Sequence, residues 1–170
     1  GVQTCALPIW RNEAAARFWL QSPQAEAICQ QLMQFDYLYL SGISLAILSP
    51  EDRHQLMALL AACRRNGGKV IFDNNYRPRL WPSREAAQQA YQAMLDCTDI
   101  AFLTLDDETL LWGEAPTEQV IARTRAAGVS EIVIKRGADA CLVALNDEPL
   151  LEVPAVRLEK EKIIDTTAAG

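Results

Sequence analysis

Histidine is almost absent from this chain. His54 is the only one in 170 residues, and it falls on the polar side of a helical pattern, where it reads as an exposed surface residue. A Ser/His/Asp or Cys/His mechanism would need a second histidine to be placed elsewhere. Cysteine is sparse and odd in number, with Cys5, Cys29, Cys63, Cys97 and Cys141 and no C-x-x-C pair. That spacing excludes the usual zinc and redox motifs, and the thiols read as small buried residues in a reducing, cytoplasmic setting. There is no apolar run long enough to cross a bilayer. Gly1–Ile9 lacks both the basic start and the long apolar core of a signal peptide. There is no G-x-x-x-x-G-K-[ST] phosphate loop. Positive charge is also short. The net charge of -6 argues against nucleic acid or an anionic membrane as partner, so an anionic ligand must be held by local Arg, Lys or backbone groups.

What the chain does have is an apolar half, enough for a sizeable core in one ordinary domain. Helical and strand patterns alternate. The spacing predicts helices over Pro23–Phe35, Pro50–Asn66, Ser83–Cys97, Asp106–Trp112 and Thr117–Ala127. Ser49, Ser83 and Thr117 are the expected caps, with Pro50 in a first turn. Short apolar strands are expected at Tyr37–Leu40, read as buried, then Lys69–Phe72, Ile100–Leu103, Glu131–Lys135, Ala140–Leu145 and Leu150–Val153. Such alternation implies right-handed crossovers and an α/β fold: a largely parallel, Rossmann-like sheet with helices on both faces and an antiparallel ribbon at its edge.

In such sheets ligands collect at the carboxyl ends of the strands. The densest polar cluster lies there, at Asp73-Asn74-Asn75-Tyr76-Arg77-Pro78-Arg79-Leu80-Trp81. Its arginines suit an acidic substrate through their planar forks, and its asparagines can orient hydroxyls or phosphates. A polar turn is the plainer alternative. Lys135-Arg136-Gly137-Ala138-Asp139 also follows a strand, and reads equally as a nucleotide-side turn or a simple tight turn. Asp106-Asp107-Glu108 can help hold a metal indirectly or favour a helix N-terminus through its dipole. Arg11, taken alone, reads as a solvated helix start. The final Asp165-Thr166-Thr167-Ala168-Ala169-Gly170 resembles the opening of a helix that faces an anion. Together these features make phosphoryl transfer the natural chemistry.

The D-x-N-Y-R-P-x-L-W element from Asp73 to Trp81, the K-R-G-A-D element from Lys135 to Asp139 and the D-T-T-A-A-G element from Asp165 to Gly170 resemble the ribokinase-like (PfkB) carbohydrate kinases, and among them the sugar-acid kinases. The resemblance runs from Trp10 to Gly170 and implies a ribokinase-like sheet, here truncated at both ends. It implies transfer of the γ-phosphoryl of ATP, with Mg²⁺, to a sugar-acid hydroxyl in the cytoplasm. It further implies that Arg11, Ile43 and Arg77 bind the substrate, with Arg77 at its acid end. Asn75 lies where the family contacts phosphates, and Lys135, Arg136, Gly137, Ala138, Asp139 and Ala140 match the nucleotide loop. Ala168, Ala169 and Gly170 match the anion hole that stabilises the transferred phosphoryl.

Glu108 matches a glutamate that organises Mg²⁺ through water, although Leu105 stands where that N-x-x-E element has its asparagine. The family's proton-accepting aspartate would follow Gly170, so the chain by itself is expected to be an inactive internal piece of a kinase. Gly1–Ile9 has no counterpart in the resemblance, and Val2–Ile9 reads as a translated sequencing adapter, with a tag or a divergent strand as the plainer alternative. The partners implied are a small-molecule sugar acid and ATP, with neither nucleic acid nor membrane, and a homo-oligomer of the full-length protein stays open. The alternative reading is a non-catalytic α/β module that binds an acidic metabolite.

Overall fold

A computed structural model describes residues 14–146 and 148–156. Arg11 and the Asp165–Gly170 element, with the anion-hole residues Ala168, Ala169 and Gly170, lie outside the described residues. Six strands form one sheet, in the same order as in the chain. The parallel members are β1 (Tyr37–Ser41), β2 (Lys69–Asp73), β3 (Ile100–Thr104) and β4 (Glu131–Lys135). An antiparallel ribbon, β5 (Cys141–Ala144) and β6 (Leu151–Val153), extends the β4 side as the sequence predicts. The helices are α1 (Ala25–Leu32), α2 (Gly42–Ala46), α3 (Pro50–Arg65), α4 (Arg84–Leu95), α5 (Leu105–Trp112) and α6 (Thr117–Ala126). None of these is long and apolar enough to cross a membrane.

The strand order decides where the helices go. When each parallel strand is added beside its predecessor in one direction, right-handed crossovers all fall on the same side. The burial pattern agrees. Leu38, Val70, Phe72, Ala101, Leu103, Ile132, Ile134, Leu142 and Ala144 lie opposite one another across the register and share one core with Leu56, Leu60, Tyr91, Met94, Leu111 and Val120 from the helices. On the other face, Ile71, Ile100, Phe102, Val133 and Val143 are only half-buried and stand outside that core. Among the described residues, therefore, the helices cover one face where the pattern predicts two. A parallel sheet needs both faces covered. The isolated 170-residue chain is accordingly expected to bind a hydrophobic dye and to associate as its concentration rises. Absence of dye fluorescence from a monodisperse sample would contradict this.

Local chemistry explains the boundaries. Ser49 caps α3 by accepting from Asp52 N at 3.0 Å, and Ser83 caps α4 by accepting from Ala86 N at 3.1 Å. Thr117 does not act as the expected cap of α6. It is already the first helical residue, and Pro116 occupies the cap position with no side-chain hydrogen bond. The fixed φ of proline supplies the entry geometry instead. The β1 expectation also changes. Tyr37 and Tyr39 are exposed, because β1 is the outermost of the described strands and they point to the uncovered face. The short helix α2, right after β1, was not predicted, since five residues are too few to show a helical period.

Candidate active site

The carboxyl ends of β2, β3 and β4 open into a cleft of about 920 Å³. Asp73, Asn75, Arg77, Thr104, Asp106, Asp107, Lys135, Arg136, Gly137, Asp139 and Cys141 line it, with 153–155 closing one side. Of the sequence-predicted residues, the structure thus gathers Asn75, Arg77, Lys135, Arg136, Gly137 and Asp139 around one space. Ala138 and Ala140 belong to the same β4–β5 turn, whose Gly137 has a φ of +62°. Ile43 is half-buried in α2 beyond β1 and is not among the cleft-lining residues.

The Asp73–Trp81 element divides by side-chain direction. Tyr76 and Trp81 turn inward and meet Tyr91 of α4 edge to face, with centroid separations of 5.9 Å each, and Phe72 joins at 5.4 Å. Such pairs add to the burial they bring and fix the underside of the loop. Asn75 and Arg77 face the cleft. Asn75 has a φ of +31°, the left-handed region that asparagine tolerates better than most residues. Backbone strain of this kind is held by its surroundings, and it clusters at ligand sites.

What holds it is Asn74. This side chain is almost fully buried, at 1% exposure, and uses its whole hydrogen-bonding capacity. Its Oδ1 accepts from Asn75 N at 2.8 Å and Thr104 N at 3.0 Å. Its Nδ2 donates to Thr104 O at 3.0 Å and Glu108 Oε1 at 2.9 Å. The Asn74 carbonyl accepts from Tyr91 Oη at 2.5 Å. One asparagine therefore locks the ends of β2 and β3 together.

The cleft's cations are already engaged. Lys135 Nζ donates to Asp73 Oδ2 at 3.1 Å, and Tyr39 Oη reaches the same oxygen at 3.3 Å. Arg77 Nη1 donates to Tyr76 O at 2.8 Å and pairs with Asp107 at 3.5 Å, and Asp107 also accepts from Tyr76 N at 3.1 Å. The Arg77 side chain is half exposed, so this pair contributes little energy and leaves the fork free to turn to a ligand. Burial raises the Asp107 carboxyl above its ordinary range, opposed by Arg77 and by the Tyr76 N–H. Arg136 donates to Ala140 O at 2.6 Å and pairs with Glu152 at 2.8 Å. An anionic ligand entering here meets three cations whose present partners are two largely buried aspartates, the exposed Glu152 and backbone carbonyls.

Glu108 is placed differently from the expectation. It is buried at 4% exposure behind the cleft wall, bound to Asn74 and paired with Arg123 of α6. Burial raises its carboxyl, opposed by the Asn74 hydrogen bond and the Arg123 charge. Both of its oxygens are committed, and the described residues gather no cluster of three metal-ligating side chains. A magnesium ion carried largely by nucleotide phosphates needs few protein ligands. Asp73, Asp106 and Asp107 are the aspartates at the β2 and β3 end of the cleft lining. Sequence reading missed the parts of Asn74, Asp107 and Arg123. Residue type suggested polar work at the first two, but direction and partner depend on neighbours more than thirty residues away.

The family model described as pfkB family carbohydrate kinase matches residues 3–170. The chain belongs to the pfkB family of carbohydrate kinases. Within this family it is 71% identical over 161 residues to 2-dehydro-3-deoxygluconokinase of Escherichia coli (strain K12), an alignment that takes in 95% of this chain and 52% of that protein. The chain therefore spans about half the length of the curated relatives it matches. Among solved structures, aminoimidazole riboside kinase from Salmonella enterica, complexed with aminoimidazole riboside and an ATP analogue, superposes with a TM-score of 0.68 at 25% identity, over 81% of this chain and 44% of that one. A putative Ribokinase II from E. coli in complex with ATP and Mg²⁺ superposes with a TM-score of 0.64 at 24% identity, over 77% of this chain and 41% of that one. The ribokinase-like α/β fold implied by the motifs is thus the fold this family member has.

Proposed function

We propose that this pfkB-family chain is the central part of a cytoplasmic sugar-acid kinase that transfers the γ-phosphoryl of ATP to O6 of 2-dehydro-3-deoxy-D-gluconate, and that the 170 residues alone do not turn over. The 71% identity to a 2-dehydro-3-deoxygluconokinase across nearly the whole chain carries this reading. The cleft supports it, because Asn75, Arg77, Lys135 and Arg136 converge where open α/β sheets bind ligands.

In this reading, Arg77 receives the carboxylate of the sugar acid through its fork, exchanging the weak Asp107 pair for the ligand. Lys135, held by Asp73 at the end of β4, supplies positive charge to the phosphates, and the Gly137 turn lets the backbone lie close to the nucleotide. Asn75, fixed in its left-handed conformation, offers its amide to a phosphate oxygen. Magnesium ion, when bound, neutralises phosphate charge. Arg11 and Ile43 complete the proposed sugar side, and the Ala168–Gly170 segment the proposed anion hole. The test is phosphorylation by the full-length protein. Purified protein with ATP and Mg²⁺ is expected to phosphorylate 2-dehydro-3-deoxygluconate far faster than glucose, fructose or ribose. Equal rates on neutral sugars, or none on any sugar acid, would remove the assignment.

A further inference from the structure

Arg123 has no place in the cleft, yet it stands at the head of a chain of contacts that ends there. It lies on α6, with its guanidinium carbon 4.8 Å above the Trp112 ring centroid, and its Nη2 donates to Glu108 Oε2. Glu108 Oε1 accepts from Asn74 Nδ2 at 2.9 Å. Asn74 Oδ1 in turn receives the backbone N–H groups of Asn75 and Thr104 at 2.8 and 3.0 Å. Each link is buried or nearly so, with Glu108 at 5% and Arg123 at 26% side-chain exposure. Removing one partner of such a pair leaves the other uncompensated in a low-dielectric site, where charges and hydrogen bonds matter most.

We propose that Arg123 is a positioning residue for the phosphate side of the cleft, acting through Glu108 and Asn74 to hold the backbone of Asn75 in its left-handed conformation. Three observations support this. The carboxylate of Glu108 is the sole side-chain acceptor for the Asn74 amide, whose other donation goes to the Thr104 carbonyl. Arg123 is the cation that pairs with that carboxylate. Asn75 is the one non-glycine residue with positive φ among the described residues, and its backbone N–H donates to Asn74 Oδ1. The Trp112 ring stacks on the guanidinium and adds a second contact that fixes the cation's position. Arg77, by contrast, is held by Asp107 and the Tyr76 carbonyl, outside this chain of contacts. The inference therefore separates the two halves of the cleft: disturbing Arg123 should affect the phosphate side and spare the sugar-acid side.

The kinetic part of the test rests on the kinase reading above; the structural part does not. In the full-length protein, Arg123→Met is expected to speed hydrogen exchange at the Asn75 and Thr104 amides by about tenfold, while the β1–β2 ladder amides keep their protection. Nucleotide KM is expected to rise by about tenfold, the size of one lost charge-assisted hydrogen bond, with the sugar-acid KM within about twofold of wild type. Asn74→Ala should give the same split, and the double variant should be no worse than either single one, because both act on one chain of contacts. Arg123→Lys keeps the charge and loses the flat stack on Trp112, so its exchange at the two amides should lie between wild type and Arg123→Met. This variant decides the matter if Arg123→Met does not fold.

Unchanged exchange at Asn75 and Thr104, loosening spread evenly over the sheet, or additive penalties in the double variant would each overturn the proposal. A full-length protein that phosphorylates no sugar acid would end the kinase reading, and the exchange data would still judge Arg123.

Discussion

Under the proposed function, replacing Arg77 with alanine in the full-length protein is expected to raise KM for the sugar acid by about ten- to a hundredfold, since a hydrogen bond to a charged group contributes roughly 1.5–3 kcal/mol. Arg77 lines the cleft, its side chain is half exposed, and its pair with Asp107, at 3.5 Å, is long. A guanidinium held this loosely can turn to a carboxylate that meets both arms of its fork. Nucleotide KM should change much less, because Lys135 and the Gly137 turn lie on a different strand end. Arg77→Lys should recover only part of the loss, since an ammonium cannot present two parallel donors. Neutral sugars should feel the change less than the acid. Steady-state kinetics with each substrate varied in turn reads all of this. If Arg77→Ala raised KM for ATP and left the acid untouched, Arg77 would belong to the phosphate side.

The second large effect is on stability. Gly42→Ala is expected to cost about 3 kcal/mol or more, the upper end for overpacking a filled site. Gly42 opens α2 at the end of β1 and is buried. A Cβ built there would overlap Tyr91 Oη and the Asn74 carbonyl, the two atoms joined by the 2.5 Å hydrogen bond. Neither can step aside cheaply. Tyr91 is fully buried among Phe72, Tyr76 and Trp81, and Asn74 is bound at every polar atom. Burial pushes the Tyr91 phenol far above its ordinary pKa, so it stays a neutral donor at any working pH. Denaturant unfolding of the full-length protein should show the loss in midpoint. Adding Tyr91→Phe should return part of it by removing the phenol oxygen, although the ring carbon that bears it and the Asn74 carbonyl still crowd the new methyl. A Gly42→Ala variant as stable as wild type would mean that α2 and α4 are further apart than described.

Much of the architecture was legible because it rests on local signals. Ser49 and Ser83 sit before their helices as hydrogen-bonding caps, and the strands follow short apolar runs. The position of the cleft followed from the parallel sheet, which needs only the order of the elements. Orientation was less legible. The sequence places Asn74 and Asn75 side by side, yet one is a buried brace and the other faces the cleft. That difference is set by Thr104 and Glu108, thirty or more residues away. Glu108 shows the same limit. Its type and spacing suit a metal site, but Arg123 on the next helix turns it inward. The second covering layer of the sheet could not be read from alternation alone, because alternating helices and strands fit either one covered face or two. Strand order separates these cases, and it depends on contacts between segments far apart in the chain.

That strand order also bears on how the molecule is made. Each of β2 to β6 pairs with the strand synthesised just before it, and the crossover helix for each parallel pair emerges between the two. As the chain leaves the ribosome, each of β2 to β6 finds its first neighbour already in place, so this part of the sheet does not have to hold a gap open for a later segment. Assembly by addition at one edge keeps loop closures short and favours stepwise folding during synthesis. Among the described residues, no helix covers the face that carries Ile71, Ile100, Phe102 and Val133, which stay only half-buried as the sheet grows. It is the surface that a nascent-chain chaperone would meet first.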